Sequence, residues 1–447
     1  MTALQEILSA REERGLLRQK ANAHGNAAVS MNLNIPGIPK IDVCYTRFFE
    51  LCKDQLKNWL LANRVFIDQE NEVILHHAAG DFYIVPLKSA GVPPDMLKQI
   101  TEQFEMNHAL GRFIDVDVAD ENGIIFSSGK AKLCFFCNAY PAIDCMLAHR
   151  HPIAALRAFQ QDKILAYLRE ERLVRLSHKV SSIAIRSILY ELELTPKPGL
   201  VDMSGSGVHA DMNFRMFVDS TAVISAFFAD LFRRGAESSS VDIRTALPVI
   251  RNIGLMMERD MFSQTKGINT QKGIIFLMGI SLFCAGYVLK ESDTFNPDLF
   301  VATVKALCSK LTQNELVNPE DSLTHGEFCF QKYQTGGIRF EVENGFPTIF
   351  MHSLPRLENE NNTGREALIK TLLSVMAVLN DTNILYRSDP KILAALQQMS
   401  IQVLSDFSMK TYAEVINFCM QHKISPGGSA DLLSMTIFVY LLKNDCK

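Results

Sequence analysis

The sequence predicts two domains: a mixed α/β (α+β) domain over residues 1–170, and an essentially all-α domain over residues 171–447. Three observations carry this. Up to about residue 127, short alternating strand patterns are interleaved with amphipathic helical ones. Beyond about residue 150, helical periodicity is nearly continuous and strand alternation almost vanishes. A chain of 447 residues also exceeds what a single ordinary core encloses. The boundary falls inside a charged helical stretch, Lys163 to Arg175, which suits a stiff connector.

In chain order, residues 3–22 read as a charged amphipathic helix carrying Arg11, Arg14 and Arg18. The run 28–35 reads as a strand, closed by Pro36-Gly37-Ile38-Pro39-Lys40. A helix is expected over 43–62, then short strands near 64–68, 72–76 and 82–86. Another helix follows Pro93-Pro94, and two strands cover about 111–118 and 123–127. The second part shows helical periods over 152–193, 215–234, 243–262, 272–290, 297–312, 365–380, 391–406, 411–421 and 429–443. A loop-rich insertion is expected from Thr324-His325-Gly326-Glu327 to Pro347, and an exposed loop over Glu358–Thr363.

Composition narrows the function classes. The chain is 47% hydrophobic and 21% charged, as expected of a globular protein. A net charge of −4 and a pI near 6.3 speak against a general nucleic-acid or membrane-surface binder, so an anionic ligand must meet local positive charge. The N-terminal residues mix acids and bases and do not form a signal peptide, so a cytoplasmic protein is expected. The apolar stretch Gly273–Val288 is short and broken by Gly, Ser and Cys, which reads as a buried helix. Ten cysteines in a reducing compartment are core residues or metal ligands rather than disulfides.

In the first part, the chemistry gathers in His108-Ala-Leu-Gly111-Arg112-Phe-Ile-Asp115-Val-Asp117-Val. On a strand, Asp115 and Asp117 share one face while Ile114, Val116 and Val118 enter the core. Two carboxylates aimed together repel unless a positive charge sits with them, and Mg²⁺ carried by a phosphate substrate is a natural candidate. Arg112 offers a bidentate fork to phosphate. The alternative is an ordinary solvent-facing pair. Cys134-Phe-Phe-Cys137, followed by Cys145, His149 and His151, has the softness and spacing of a structural Zn²⁺ site, or of small buried hydrophobes.

These segments, with Arg11-Glu-Glu-Arg14 and Asn34-Ile-Pro-Gly37-Ile-Pro-Lys40, resemble the apo-citrate lyase phosphoribosyl-dephospho-CoA transferases over about the first 160 residues. The resemblance implies a nucleotidyltransferase-like domain that moves a prosthetic group from a triphosphate precursor onto a serine of the apo acyl-carrier (gamma) subunit of citrate lyase. Pyrophosphate would be released. It further implies that Asp115 and Asp117 hold Mg²⁺, with Arg112 and Lys40 meeting phosphate. Ala109 replaces an expected proline, and Ala131-Lys132 replaces an expected basic pair.

The second part is organised around Thr195-Pro-Lys197-Pro-Gly-Leu-Val-Asp202, running on to His209-Ala-Asp211. Two prolines stiffen the turn that displays Lys197, and Gly199, Gly205 and Gly207 permit close backbone approach to a ligand. A cation, glycines and clustered acids suit a polyphosphate with its metal; ordinary turn chemistry is the competing reading. Lys266-Gly-Ile-Asn269-Thr-Gln271-Lys272-Gly273 collects polar groups at a helix N-terminus, a ready anion site. Asp381-Thr-Asn383 and Ser425-Pro-Gly427-Gly428-Ser429-Ala-Asp431 add two more polar joints. With the insertion from Thr324 to Pro347 there are five such joints in one helical domain; they exceed what short turns need and suit convergence on one cleft.

Together they resemble the triphosphoribosyl-dephospho-CoA synthases over residues 172–447. That resemblance implies joining of ATP to dephospho-CoA with loss of adenine. It assigns Lys197 to phosphate, and Asp202, His209 and Asp211 to metal or acid–base work, with Asp211 a Mg²⁺ ligand. Asn269, Lys272, Asp381, Asn383 and Asp431 complete the nucleotide site. Gln271 stands where His is expected, Phe340 and Val342 interrupt a usually smaller segment, and Ser388-Asp389 replaces a glycine pair. The reading is therefore a bifunctional maker and installer of the citrate lyase prosthetic group, using ATP and dephospho-CoA, without nucleic acid or membrane. Its alternatives are the equivalent pathway for the malonate decarboxylase carrier subunit, and a metal-dependent nucleotide or ADP-ribose hydrolase.

Overall fold

A computed structural model describes residues 2–21, 26–88, 92–120, 122–126, 132–239, 242–312 and 325–447. Its packing divides into two compact units, Met1–Arg172 and Leu173–Lys447.

The first unit is built on one antiparallel five-stranded sheet, in the order β2-β3-β1-β4-β5. The strands are β1 (Ala28–Leu33), β2 (Val73–His77), β3 (Gly80–Pro86), β4 (Ile114–Ala119) and β5 (Ile125–Phe126). Helices α1 (Ala3–Ala21), α2 (Val43–Ala62), α3 (Pro94–Asn107) and α4 (Ala142–Leu147) surround it. Alternation along β4 drives Ile114, Val116 and Val118 into a core with Tyr45, Phe48 and Phe49 of α2 and Leu97 and Phe104 of α3. Burying each such large side chain contributes about 1.5–3 kcal/mol before entropy is counted. On the opposite face a smaller cluster, Ala28, Phe82 and Ile84, packs against Leu17 and Ala21 of α1.

Two strand expectations need correction. Residues 64–68 form no strand; only Ile67 bridges to Leu87, because Asp68 leads straight into a tight turn over Gln69–Asn71. The strand expected over 123–127 is two residues long, and its last position lies outside the described residues.

Helix α5 (Ile153–Glu193) runs for 41 residues through the division between the units. The second unit continues with α6 (Phe214–Ser225), α7 (Phe228–Glu237), α8 (Leu247–Gln264), α9 (Lys272–Leu289) and α10 (Pro297–Leu307). The single helix expected over 215–234 is thus two, broken at Ala226-Phe227. Next come α11 (His325–Tyr333), α12 (Gly337–Glu343), a π-turn over Ile349–Ser353 and α13 (Leu354–Glu360). The expected loop-rich insertion is therefore largely helical where it is described, with short breaks at 334–336 and 344–346; Thr324 lies outside the described residues. Val342, Phe346, Ile349 and Leu357 are fully buried, and that apolar anchoring outweighs the glycines between them. The predicted loop at Glu358 begins inside α13, which ends only where Asn361 adopts a left-handed conformation at φ 52°. Helices α14 (Arg365–Met376), α15 (Thr382–Arg387), α16 (Pro390–Ser405), α17 (Met409–His422) and α18 (Gly427–Asp445) complete the unit.

Helix α9 is the spine of this unit. It has the length and apolarity of a membrane span, yet most of its residues are buried among neighbouring helices. That all-round hydrophobicity is what an enclosed core helix requires.

Candidate active sites

Two cavities of the second unit, of about 640 and 300 Å³, share a wall of Asn269, Lys272, Gly273, Asn383 and Asp431. Chain geometry puts them there. Helix α9 starts at Lys272, where the Asn269 side chain accepts the Lys272 amide at 3.2 Å. Helix α18 starts at Gly427, one turn before Asp431. Asp381 caps α15, accepting from the Asn383 amide, and ties it to α18 by accepting from the Ser429 amide at 2.8 Å and its hydroxyl at 3.0 Å. Three helix N-termini, each a positive dipole end, thereby converge. Gly273 makes the meeting possible: a Cβ there would lie 2.0 Å from Asp431 Oδ2.

The larger cavity is mostly apolar, lined by Leu247, Leu255, Phe262, Phe276 and Ile338, with Arg251 and Arg339 among its polar groups. The smaller is more polar and holds Lys197, His209, Asp211, Arg387 and Ser425. Of the sequence-predicted residues, Lys197, His209, Asp211, Asn269, Lys272, Asn383 and Asp431 thus line one connected region. Asp202 and Asp381 do not. Asp202 closes its own loop, accepting from the Lys197 amide at 2.8 Å and from the Ser204 amide and hydroxyl at 2.7 and 2.6 Å. Two of the loop glycines, Gly199 and Gly207, also serve the protein's own packing. Gly199, at φ +65°, rides so close to the chain just after α17 that a Cβ would sit 2.1 Å from the Ile424 carbonyl oxygen.

The electrostatics single out Asp431. Burial, with the negative charges of Glu191 and Asp381 adding to it, pushes its carboxyl well above the usual range. Among the described residues no side chain hydrogen-bonds it. Burial also raises Asp381, against the opposing hydrogen bonds from Ser429 and Asn383. Lys197 is buried and paired with Glu191 Oε1 at 2.6 Å. Lys272 meets Glu258 at 3.0 Å. Burial first, then Arg387, lowers His209 against the pull of Asp211, so at neutral pH it meets Ser425 Oγ at 2.9 Å as an uncharged ring. Gln271, which lines the smaller cavity, is hydrogen-bonded to Ser220 and Thr221.

In the first unit, Asp115 and Asp117 share a face of β4, opposite Asn32 and Ser30 of β1. Each already has a cation nearby. Asp117 meets Arg18 at 3.1 Å, and Asp115 lies 3.5 Å from Lys132, which also holds Glu105 at 2.7 Å. Burial and the neighbouring Asp115 charge raise Asp117. Arg112 donates to the Leu133 carbonyl, and Lys40 to that of Ile35. Lys40 is lowered by burial and by Arg11, Arg157 and Arg14 around it; Arg14 is lowered to about 10 by burial and by Arg18 and Arg11. A row of cations thus links Lys40 through Arg14 to Arg18 at Asp117. Cys134, Cys137 and Cys145 come together with His151, whereas His149 is not part of the group.

Residues 177–447 match the family described as ATP:dephospho-CoA triphosphoribosyl transferase, CitG. The chain belongs to that family. Residues 2–167 match the apo-citrate lyase phosphoribosyl-dephospho-CoA transferases, CitX. The fusion itself has counterparts: a Protein CitXG of Leuconostoc mesenteroides subsp. cremoris is 28% identical over 98% of this chain and 96% of its own length. Another, of Haemophilus influenzae, is 29% identical over 98% of this chain and 95% of its own. A probable 2-(5''-triphosphoribosyl)-3'-dephosphocoenzyme-A synthase of Lactiplantibacillus plantarum is 36% identical over 58% of this chain and 95% of that protein. This CitX–CitG fusion is a bifunctional transferase for synthesis and attachment of the citrate lyase prosthetic group.

Sequence reasoning missed Glu191, Arg387, Arg14 and Arg18 as site residues. Glu191 was readable only as a helix-end acid six residues before Lys197. The arginines signalled themselves by their helical spacing, with Arg11, Arg14 and Arg18 recurring on one face of α1.

Proposed function

We propose that ATP and dephospho-CoA occupy the two cavities of the C-terminal unit and react across their shared wall. The wall supports this reading above all, because it brings an unpartnered carboxyl, Asp431, between a largely apolar chamber and a more polar one. A ribose hydroxyl of dephospho-CoA attacks the anomeric carbon of ATP, the carbon–adenine bond breaks, and adenine leaves with the bonding electrons. Asp431 accepts the hydroxyl proton, a role suited by its raised affinity for one. Asn269 and Asn383 orient the ribose, while Lys197, Arg387 and the start of α9 receive the triphosphate. Developing positive charge at the anomeric carbon is stabilised by the nearby carboxylates.

In the N-terminal unit, the serine oxygen of the apo acyl-carrier (gamma) subunit attacks the phosphorus next to the ribose and displaces pyrophosphate. Arg18, Arg112, Lys132 and Lys40 steady the phosphate oxygens. The hard oxygen donors of Asp115 and Asp117, and of Asp211 in the other unit, suit Mg²⁺, which would neutralise the triphosphate when bound.

Incubation with ATP, dephospho-CoA and Mg²⁺ should release adenine in step with dephospho-CoA consumption, as read by chromatography. Phosphate release without adenine would instead mark a nucleotide hydrolase. Offering apo-carriers of citrate lyase and malonate decarboxylase side by side tests the acceptor, and labelling of the citrate lyase carrier is expected to dominate.

A further inference from the structure

We infer that Cys134, Cys137, Cys145 and His151 form a structural Zn²⁺ site in the N-terminal unit. Their four ligand atoms all lie within 4.8 Å of one another. In a tetrahedral zinc–thiolate site with Zn–S bonds near 2.3 Å, the sulfur–sulfur edge is about 3.8 Å. Cys137 Sγ and Cys145 Sγ stand 3.7 Å apart, the spacing of two ligands on one ion and well beyond a disulfide bond.

The backbone has the shape such a site demands. Cys134 and Cys137 sit on a tight turn in which the Asn138 amide donates to the Cys134 carbonyl at 2.9 Å, and Asn138 takes a left-handed φ of 51°. The Cys134 amide donates to the Tyr140 carbonyl at 2.8 Å, closing the loop. The amides of Ala139 and Tyr140 are directed at Cys137 sulfur, as they are where a backbone turn supports a metal-bound thiolate. Cys145 arrives on α4. The chain then reverses, with the Arg150 amide donating to the Cys145 carbonyl at 3.0 Å, and this turn delivers His151. His151 Nε2 is buried with no hydrogen bond of its own, and the His151 side chain interacts with the Cys137 sulfur. Three thiolates and one imidazole in a tetrahedron select Zn²⁺ over the hard Mg²⁺ used by the carboxylates.

The two residues inside the Cys-x-x-Cys turn fasten the knuckle to the domain. Phe135 packs edge-on against Phe113 at 5.2 Å, and Phe136 contacts both His151 at 5.0 Å and Phe159 at 5.4 Å. Immediately before the turn, Lys132 pairs with Glu105 beside Asp115, and the Leu133 carbonyl receives Arg112. The ion would therefore clamp the segment that carries Lys132 to Asp115 and offers the Leu133 carbonyl to Arg112. Zinc binding by these four residues stands whatever carrier the unit serves.

The test is metal analysis of the tag-free full-length protein, purified without added metal or chelator. One zinc per chain is expected, falling to near zero in Cys137→Ser/Cys145→Ser, with no change in adenine release. Cobalt exchanged into the wild-type protein should give tetrahedral ligand-field bands with thiolate charge transfer. His151→Cys should retain a metal and shift those bands towards a four-thiolate spectrum, which a merely structural histidine would not produce. Zinc clearly below one per chain, free reactivity of all three thiols in the untreated protein, or a Cys137–Cys145 disulfide in its place would overturn the assignment.

Discussion

Asp431 is the residue on which the synthase chemistry turns. Asp431→Asn keeps its shape but cannot take a proton, and adenine release should fall about 10²–10⁴-fold, the usual worth of a general base. The same substitution should stabilise the fold near neutral pH. An acid whose folded pKa is raised contributes stability that is fully present below its unfolded value and is lost as pH rises towards the folded one. Removing the charge removes that loss, so the melting temperature of the variant should exceed that of the wild type at pH 7 and converge with it in acid. In the active protein, kcat/KM for adenine release should rise with pH through a value well above the ordinary carboxylate range. A flat profile there would remove Asp431 from the role. The residue was nameable in advance from its glycine-rich segment, but its solitude was not, because that depends on which helices surround it.

At the scale of elements, two glycines make opposite predictions. Gly199→Ala must adopt φ +65° and bring a Cβ against the Ile424 carbonyl, so calorimetry should show a loss of at least about 1–2 kcal/mol. Gly273→Ala sits inside α9, where alanine favours the helix by up to about 1 kcal/mol. Its Cβ nevertheless displaces the Asp431 carboxylate, so adenine release should collapse while thermal unfolding changes little. Helices with a clear period were legible: 153–193 and the apolar α9 both follow from spacing and composition. The break between α6 and α7 and the helical turns after residue 337 were not. Tertiary burial of Phe228 and Phe346, rather than any local stop or start signal, decides them. The same holds for Asp202, whose sequence neighbourhood looks catalytic while its oxygens are spent on closing a turn.

For the whole molecule, two units with separate charged sites predict separable activities. Asp115→Ala should leave adenine release intact and abolish carrier labelling, while Asp431→Asn should do the reverse when preformed triphosphoribosyl-dephospho-CoA is supplied. Mixing the two variants should restore labelling from ATP. A single variant that loses both activities with its fold intact would contradict the assignment. The change from mixed patterning to helical periodicity was visible along the chain. The pairing of two chambers across one wall was not, since Asn269, Asn383 and Asp431 are more than a hundred residues apart at the extremes.

Lys197 is held by its own counter-ion, and that has a consequence for nucleotide choice. An incoming anion must out-compete Glu191 for the ammonium group, and a single phosphate brings little more charge than the glutamate already provides. The arrangement works as a threshold, so AMP should barely compete with ATP, and Glu191→Gln should lower that threshold and let shorter nucleotides in.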